Sequence, residues 1–167
     1  SGIELGVAAG EHAWLISQIL RPKKLYLLDS WGLDEDYREQ TGETVDDFYP
    51  ALEKTKKLFQ GRKGVEIIQG KTSEEHLKFE NKTFDFIYID ANHKYQAVKG
   101  DLENWFPKLR DGGVIAGHDY VDDLKPSFGV IKALTEFQDT HKDKIVNFLI
   151  FGSGLNRSWL IETGGRL

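Results

Sequence analysis

The sequence contains no cysteine and no methionine. Without cysteine it cannot form disulfides, thiolate zinc sites or iron–sulfur clusters, and it has no cysteine nucleophile. No stretch approaches the ~20 consecutive apolar residues that a membrane-spanning helix needs. An excess of basic charge is also missing, because 22 lysines and arginines stand against 27 acids and the net charge is −5. We therefore expect a cytoplasmic protein that binds neither membranes nor nucleic acid.

The composition that remains is that of one folded domain. The 167 residues are 40% hydrophobic and 29% charged, which is typical of globular proteins and too apolar for a disordered chain. The first residues, SGIELG, have the pattern of a strand that is already under way. We therefore expect a single domain over residues 1–167, with residues upstream of Ser1 completing its first strand.

Short apolar runs alternate with longer amphipathic segments along the chain. The runs predict strands at residues 3–5, 25–28, 65–68, 84–89, 114–116, 145–151 and 158–161. The amphipathic segments predict helices at residues 11–19, 45–59, 73–77, 95–109 and 129–141. Such alternation predicts an α/β sandwich with a mostly parallel sheet. The last two strands have no helix between them, so they are predicted to form an antiparallel hairpin at one edge.

Candidate binding residues follow the first predicted strand, at the edge of the sheet where α/β proteins bind ligands. Gly6 and Gly10 allow the backbone to turn tightly and to approach a ligand closely. Their Gly-x-x-x-Gly spacing differs from the Gly-x-Gly-x-x-Gly fingerprint of dinucleotide-binding proteins. Glu4, inside the strand, favours a cationic group such as an amino group. The alternative is an ordinary turn between a strand and a helix.

The next two strand ends favour a nucleoside ligand. Asp29 follows Gly6 by 23 residues, a position from which an acid accepts both hydroxyls of a ribose. It is alternatively a helix cap or a surface acid. Trp31 is placed either to cover an adenine face or to belong to the core. Thr72 and Ser73 are placed to bond a base edge, or else to cap the helix that follows.

Two acid–histidine pairs follow the fourth and fifth predicted strands. Asp90 and His93 come after the fourth strand, and His118 and Asp119 come after the fifth. If those strands are neighbours, the four side chains open on one cleft. Two carboxylates with two imidazoles can bind a hard divalent ion or act as acid and base. The alternative is that the histidines have only a structural role.

These motifs resemble those of the class I S-adenosylmethionine-dependent methyltransferases, and within them the small bacterial family called methyltransferase family 24. ELGVAAGEHAW resembles the glycine motif, and LYLLDSW resembles the ribose-binding strand end. The most specific segment is DFIYIDANHKYQAVKGDLENWFPKLRDGGVIAGHDY, in which Asp-x-x-His is followed by Gly-Gly-x-x-x-Gly-His-Asp-Tyr. The resemblance implies a three-layer Rossmann-like sandwich whose seven strands lie in the order 3-2-1-4-5-7-6, with an antiparallel C-terminal hairpin.

The resemblance also implies roles for individual residues. S-adenosylmethionine would be bound by Glu4, Gly6, Val7, Gly10, Asp29, Ser30, Trp31, Thr72, Ser73 and Asp90. Related sugar O-methyltransferases hold Mg²⁺ through acids at the ends of strands 4 and 5, with a histidine three residues after the first acid. Asp90 and Asp119 match the metal acids, and His93 matches the histidine. His118 stands where some relatives have a further acid, so a metal-free mechanism with His93 or His118 as base is also open. The catalytic candidates are His93, Asp90 and His118.

The expected activity is methyl transfer to an oxygen of a small molecule or sugar, assisted by Mg²⁺ or without it. A nitrogen or carbon acceptor stays open. Two other classes of protein also stay open, a nicotinamide-dependent oxidoreductase and a non-catalytic nucleoside-binding module. The expected partner is a small-molecule hydroxyl acceptor, and whether the chain forms a homo-oligomer is left open.

Overall fold

The computed structural model describes residues 1–35, 37–38, 42, 44–125 and 127–165. Its strands are β1 (Gly2–Leu5), β2 (Leu25–Asp29), β3 (Val65–Gln69), β4 (Phe84–Ile89), β5 (Leu109–Gly117), β6 (Ile145–Ser153) and β7 (Asn156–Thr163). The helices of the described residues are α1 (Glu11–Ile19), α2 (Val45–Leu58), α3 (Thr72–Glu75), α4 (Tyr95–Trp105) and α5 (Val130–Thr140). All the predicted strands and helices are present.

The strands form one seven-stranded sheet in the order β3-β2-β1-β4-β5-β7-β6. Strands β1 to β5 run parallel, and β7 pairs antiparallel with both β5 and β6. This confirms the predicted strand order and the predicted hairpin. Because parallel strands end at the same edge, the segments that follow β1 to β5 lie together there, with β1 and β4 at the centre.

Helices pack on both faces of the sheet, and each face has its own core. One core joins the sheet to α4 and α5, where Leu102 and Leu134 are fully buried. The other joins the sheet to α1 and α2, where Ile16 and Leu52 are buried. The domain is therefore the predicted three-layer α/β sandwich. None of the described helices is long and apolar enough to span a membrane.

The largest differences from the predicted boundaries lie at the end of α4 and the start of β5. The helix expected to reach residue 109 ends at Trp105, and a 3₁₀ turn over Phe106–Lys108 follows. Pro107 explains the difference, since proline has no N–H to donate and its ring clashes with the preceding helical turn. Strand β5 consequently starts at Leu109, five residues before its predicted start at residue 114.

Candidate functional site

A cavity of about 810 Å³ opens at the carboxyl ends of the central strands. This volume lies within the range of small-molecule and cofactor sites. Its lining includes ten of the thirteen residues predicted from the sequence, namely Glu4, Gly6, Val7, Asp29, Ser30, Trp31, Thr72, Ser73, Asp90 and His93. Gly10, His118 and Asp119 lie outside the lining. The predicted residues therefore come together, although they are spread over 90 positions of sequence.

Two glycines shape the segment between β1 and α1. Gly6 has φ +84°, and a Cβ there would overlap the backbone of Asp90. A larger residue would therefore push the end of β1 away from the end of β4. Gly10, at φ +83°, precedes α1, and its Cβ would lie 3.0 Å from Oγ1 of Thr55 on α2. Gly10 thus allows a turn and close helix packing without lining the cavity.

Asp29 ties this glycine segment to the end of β2. Its Oδ2 accepts the N–H groups of Val7 at 2.7 Å and Ala8 at 2.8 Å, and its Oδ1 accepts the N–H of Trp31 at 2.8 Å. An ionised carboxylate has about four lone-pair sites. Three are occupied by backbone donors, which leaves Asp29 about one further site for a hydrogen bond from a ligand.

Trp31 belongs to the core as well as to the cavity wall. Its side chain is buried among the residues between the sheet and α2, and its φ is +38°. The indole N–H donates to the carbonyl oxygen of Ala8 at 2.8 Å. Trp31 therefore holds the glycine segment by this hydrogen bond and packs in the core. The core position is one of the two alternatives that the sequence left open.

Sequence reasoning missed one residue near the end of β3. Asp101, on α4, is buried and lines the cavity together with Thr72. Burial raises the pKa of Asp101 to about 7. Trp105 donates its indole N–H to the carbonyl oxygen of Thr72 at 3.1 Å. The residue before α3 that takes the N-cap position is Lys71, so neither Thr72 nor Ser73 is the cap.

A helical stripe was the available signal for Asp101. Ala97, Gly100, Asp101 and Asn104 all line the cavity. Their spacing of three or four residues places them on one face of α4, beside the buried stripe that ends at Trp105. Small and polar residues at this spacing indicate a second functional face on the helix.

A second missed residue is His12, on α1. Its Nδ1 lies 2.8 Å from Oε1 of Glu4, whose side chain is 1% exposed. Burial raises the pKa of Glu4, and the hydrogen bond with His12 opposes that change. The same hydrogen bond raises the pKa of His12. The His12 ring lies 4.2 Å from the ring of Tyr88 on β4. Burial raises the pKa of Tyr88 to about 12, so this phenol stays neutral.

The ends of β4 and β5 bring two acids and two histidines together. Nε2 of His93 lies 3.2 Å from Oδ2 of Asp119, and Nδ1 of His118 lies 3.5 Å from the same oxygen. Burial raises the pKa of Asp90, and the nearby imidazoles of His118 and His93 oppose that change. Asp119 has φ +56°, a conformation that aspartate tolerates better than most residues. The cluster can move protons, because it pairs carboxylates with titratable rings.

The same cluster has the chemistry of a metal site. Ligand atoms of Asp90, His93 and Asp119 all lie within 4.8 Å of one another. A lysine is close by, with Nζ of Lys125 3.9 Å from Oδ1 of Asp119. Phe128 packs against both His93 and Lys125, at 4.7 and 4.6 Å from its ring. Sequence reasoning missed Lys125 and Phe128, which lie in the segment before α5.

Residues 3–120 match the model of a methyltransferase domain family, the one numbered 24. The chain belongs to this methyltransferase family. The matched range contains every predicted site residue, from Glu4 to Asp119. The domain is thus a class I S-adenosylmethionine-dependent methyltransferase, as the sequence motifs implied.

Solved structures show the same fold. The N-methyltransferase NodS of Bradyrhizobium japonicum aligns with a TM-score of 0.66 and 14% identity, over 99% of this methyltransferase and 85% of NodS. A SAM-dependent O-methyltransferase of Thermotoga maritima aligns with a TM-score of 0.65 and 13% identity, over 99% of this chain and 60% of that one. At such low identity, these structures support the fold alone.

One curated relative shares a short segment with this methyltransferase. An uncharacterized protein of Sinorhizobium fredii, y4gI, is 42% identical over 40 residues. The match covers 24% of this chain and only 4% of that relative's length. The relative is therefore far longer than the matched segment, and its name describes no activity.

Proposed function

We propose that this domain transfers the methyl group of S-adenosylmethionine to a hydroxyl oxygen of a small molecule or sugar, with His93 as the base. The observation that carries the proposal is the cluster of His93, Asp90 and Asp119 beside a cavity of cofactor size. A hydroxyl group is a poor acid, so an oxygen acceptor needs a base close to the methyl donor. Imidazole is the side-chain base that best matches neutral pH.

The cavity supports one orientation of the cofactor. Asp29 and Ser30 would contact the ribose, and Thr72 and Ser73 would contact the adenine. Gly6 and Val7 would lie under the methionine part, which directs the sulfonium toward Asp90. In this arrangement the methyl group points to the side of the cavity where His93 lies.

The chemistry is an in-line displacement. The acceptor oxygen forms a bond to the methyl carbon as the bond from that carbon to sulfur breaks, and S-adenosylhomocysteine leaves. The hydroxyl proton passes to the imidazole of His93. Asp119, 3.2 Å from Nε2 of His93, would orient the ring and stabilise its charged form. Positioning of donor and acceptor supplies much of the remaining acceleration.

We prefer His93 to His118 as the base because of its position. His93 lines the cavity together with Asp90, whereas His118 lies outside the lining. Both rings approach Oδ2 of Asp119. His118 would therefore contact the same carboxylate from outside the cavity. Asp90, half-buried at the end of β4, would then face the sulfonium.

The donor set also fits a divalent cation, with two carboxylates and one imidazole. Mg²⁺ favours oxygen ligands, whereas an imidazole is a better ligand for Mn²⁺ and later transition metals. Asp90, His93 and Asp119 would hold the ion, and His93 would then be a ligand instead of the base. When bound, the ion would stabilise negative charge on the acceptor oxygen. Lys125 would oppose metal binding, because it places a positive charge 3.9 Å from Asp119.

Two measurements test the proposal in sequence. A thermal-shift assay should show stabilisation by S-adenosylhomocysteine and none by NADH, since a ligand that binds only the native state raises the melting temperature. The protein, with and without Mn²⁺ or Mg²⁺, is then incubated with S-adenosylmethionine and a panel of sugars and phenols. Mass spectrometry should find a product methylated on oxygen. Stabilisation by NADH alone would indicate an oxidoreductase, and cofactor binding without product from any acceptor would indicate a non-catalytic module.

A further inference from the structure

The two edges of the sheet differ in how they are protected from a further strand. At one edge, β3 has five residues, and Glu66 within it forms an ion pair with Lys24. A charged side chain on an edge strand opposes pairing with another strand. At the other edge, β6 has nine residues, Ile145–Ser153, with the uncharged sequence IVNFLIFGS. This strand has neither a charge nor a proline to prevent such pairing.

The backbone of β6 is free to pair along its outer side. Among the described residues, β7 is the one strand beside it, and residues 147–153 pair with β7 in a regular ladder. In such a strand, about every second residue directs its N–H and C=O groups away from its neighbour. Within the described part of the chain, no backbone hydrogen bond reaches these outer groups of residues 147–153. They can therefore bind another extended strand.

The side chains along this edge are apolar and exposed. Five large hydrophobic residues lie exposed between positions 146 and 155, namely Val146, Leu149, Ile150, Phe151 and Leu155. Successive residues of a strand point to opposite faces of the sheet, so Leu149 and Ile150 expose apolar surface on both faces. Apolar surface beside an open strand edge is typical of a site where another chain binds.

The surface area of the chain is sufficient for a dimer interface. The chain exposes 9331 Å², whereas a monomeric protein of its 19.0 kDa exposes about 8,400 Å². The surplus of roughly 900 Å² is close to the ~800 Å² that each partner buries in an interface of standard size. Two copies of one uncharged strand can pair antiparallel about a twofold axis without placing like charges opposite each other. Such a dimer closes both open edges at once.

We propose that β6 pairs antiparallel with β6 of a second copy of this chain, so that the protein is a dimer. The two sheets join at this edge, and Leu149, Ile150 and Phe151 of each copy pack against the other strand. If the nine residues overlap in full, Leu149 lies opposite its own counterpart. No residue of β6 lines the cavity, so this dimer does not depend on the proposed function.

Analytical ultracentrifugation tests the dimer. The wild-type chain should sediment with twice its mass of 19.0 kDa at a concentration of about 50 μM. Ile150→Lys and Leu149→Lys each place a charge at the edge, on opposite faces, and should weaken the dimer by about a hundredfold or more. Leu77→Lys, at a 77% exposed position in the 3₁₀ turn after α3, should leave it unchanged. Circular dichroism checks that each variant is folded.

The absence of cysteine from the sequence allows a second test. Single cysteines at residues 147–151, each in a separate variant, are treated with a short bis-maleimide cross-linker. Residues opposite each other in an antiparallel pair have Cα atoms about 5 Å apart. At least one variant, and Leu149→Cys if the overlap is full, should therefore give a cross-linked dimer. Leu77→Cys should stay monomeric on a denaturing gel.

Three results would overturn the proposal. The first is a monomeric wild-type chain, which would leave the edge open to a strand of another protein. The second is a dimer that both lysine variants leave intact, because the second copy would then bind elsewhere. The third is the failure of every cysteine variant at residues 147–151 to cross-link, which would show that the two strands are not paired.

Discussion

At the β2 end of the cavity, Asp29 is bound by three backbone N–H groups, whereas at the β4 and β5 ends Asp90 and Asp119 face imidazole rings. The three backbone N–H groups hold the carboxylate of Asp29 in one place. Imidazole rings can accept and release protons, so Asp90 and Asp119 lie in a cluster that can exchange protons. The geometry of the first region suits the positioning of a ligand, and that of the second suits proton transfer.

This division follows from the local sequence. The glycine segment after β1 turns its N–H groups toward the strand beside it, and Asp29 is the nearest acceptor. After β4 and β5 the chain instead carries a histidine near each acid, and the neighbouring strands bring both pairs together. Four variants test whether the two regions differ in this way.

The largest effect is expected from His93→Ala, in the cluster of acids and histidines after β4 and β5. Loss of a general base should lower turnover by about 10²- to 10⁴-fold, while the affinity for S-adenosylhomocysteine stays within about threefold. Product formation by mass spectrometry and calorimetry measure the two quantities. His141→Ala, a histidine change directly after α5 and away from the cavity, serves as the control. Full activity of the His93 variant with the same acceptor would refute the assigned base.

The second change is Asp29→Ala, which removes the carboxylate that accepts three backbone N–H groups. Three N–H groups lose their acceptor, so the glycine segment loses its position and cofactor affinity should fall by about 100-fold. The melting temperature should also decrease. Exposed Asp46, in the first turn of α2, provides a matched control, since Asp46→Ala should leave the affinity unchanged. An unaltered calorimetric affinity for the Asp29 variant would contradict its role in the site.

Gly6→Ala tests the contact between the two regions. A Cβ at this position overlaps the Asp90 backbone and requires an unfavourable φ, so we expect destabilisation by roughly 2 to 3 kcal/mol. Gly61→Ala shares the positive φ, at +73°, but has open space around it. This control should cost only about 1 kcal/mol. Urea unfolding measures both, and equal losses would show that the close approach to β4 is unimportant.

The smallest effect concerns Asp101 and pH. Its pKa is about 7 in the folded chain against an ordinary 3.8, so the folded state binds more protons between these values. The free energy of unfolding should therefore decrease as pH rises through this window, and the protonated form is the stabilised one. Asp101→Asn removes the titration. Its unfolding free energy, relative to that of the wild type, should rise from pH 4 to pH 8. Parallel pH profiles for the two proteins would contradict the raised pKa.

Much of the site could be predicted because its residues directly follow apolar runs. Asp29, Asp90 and Asp119 each mark the point where a strand ends, and parallel strands end at one edge. His12 and Asp101 were missed because they lie on helices. Their spacing fits a helix with or without a function, and only the packing of α1 and α4 on the sheet brings them to the cavity.

Periodicity and motif spacing are local properties of the chain. They were therefore enough to predict the alternation of strands and helices, the antiparallel hairpin and the methyltransferase family. Tertiary structure decided which atoms are still available to a ligand. Three examples are the backbone donors that bind Asp29, the buried oxygen of Glu4 without a partner and the Asp119 carboxylate that two histidines approach. Each depends on segments that are distant in sequence. Hydrogen bonds between such segments form only when the sheet brings their ends together. No local sequence pattern therefore predicts them.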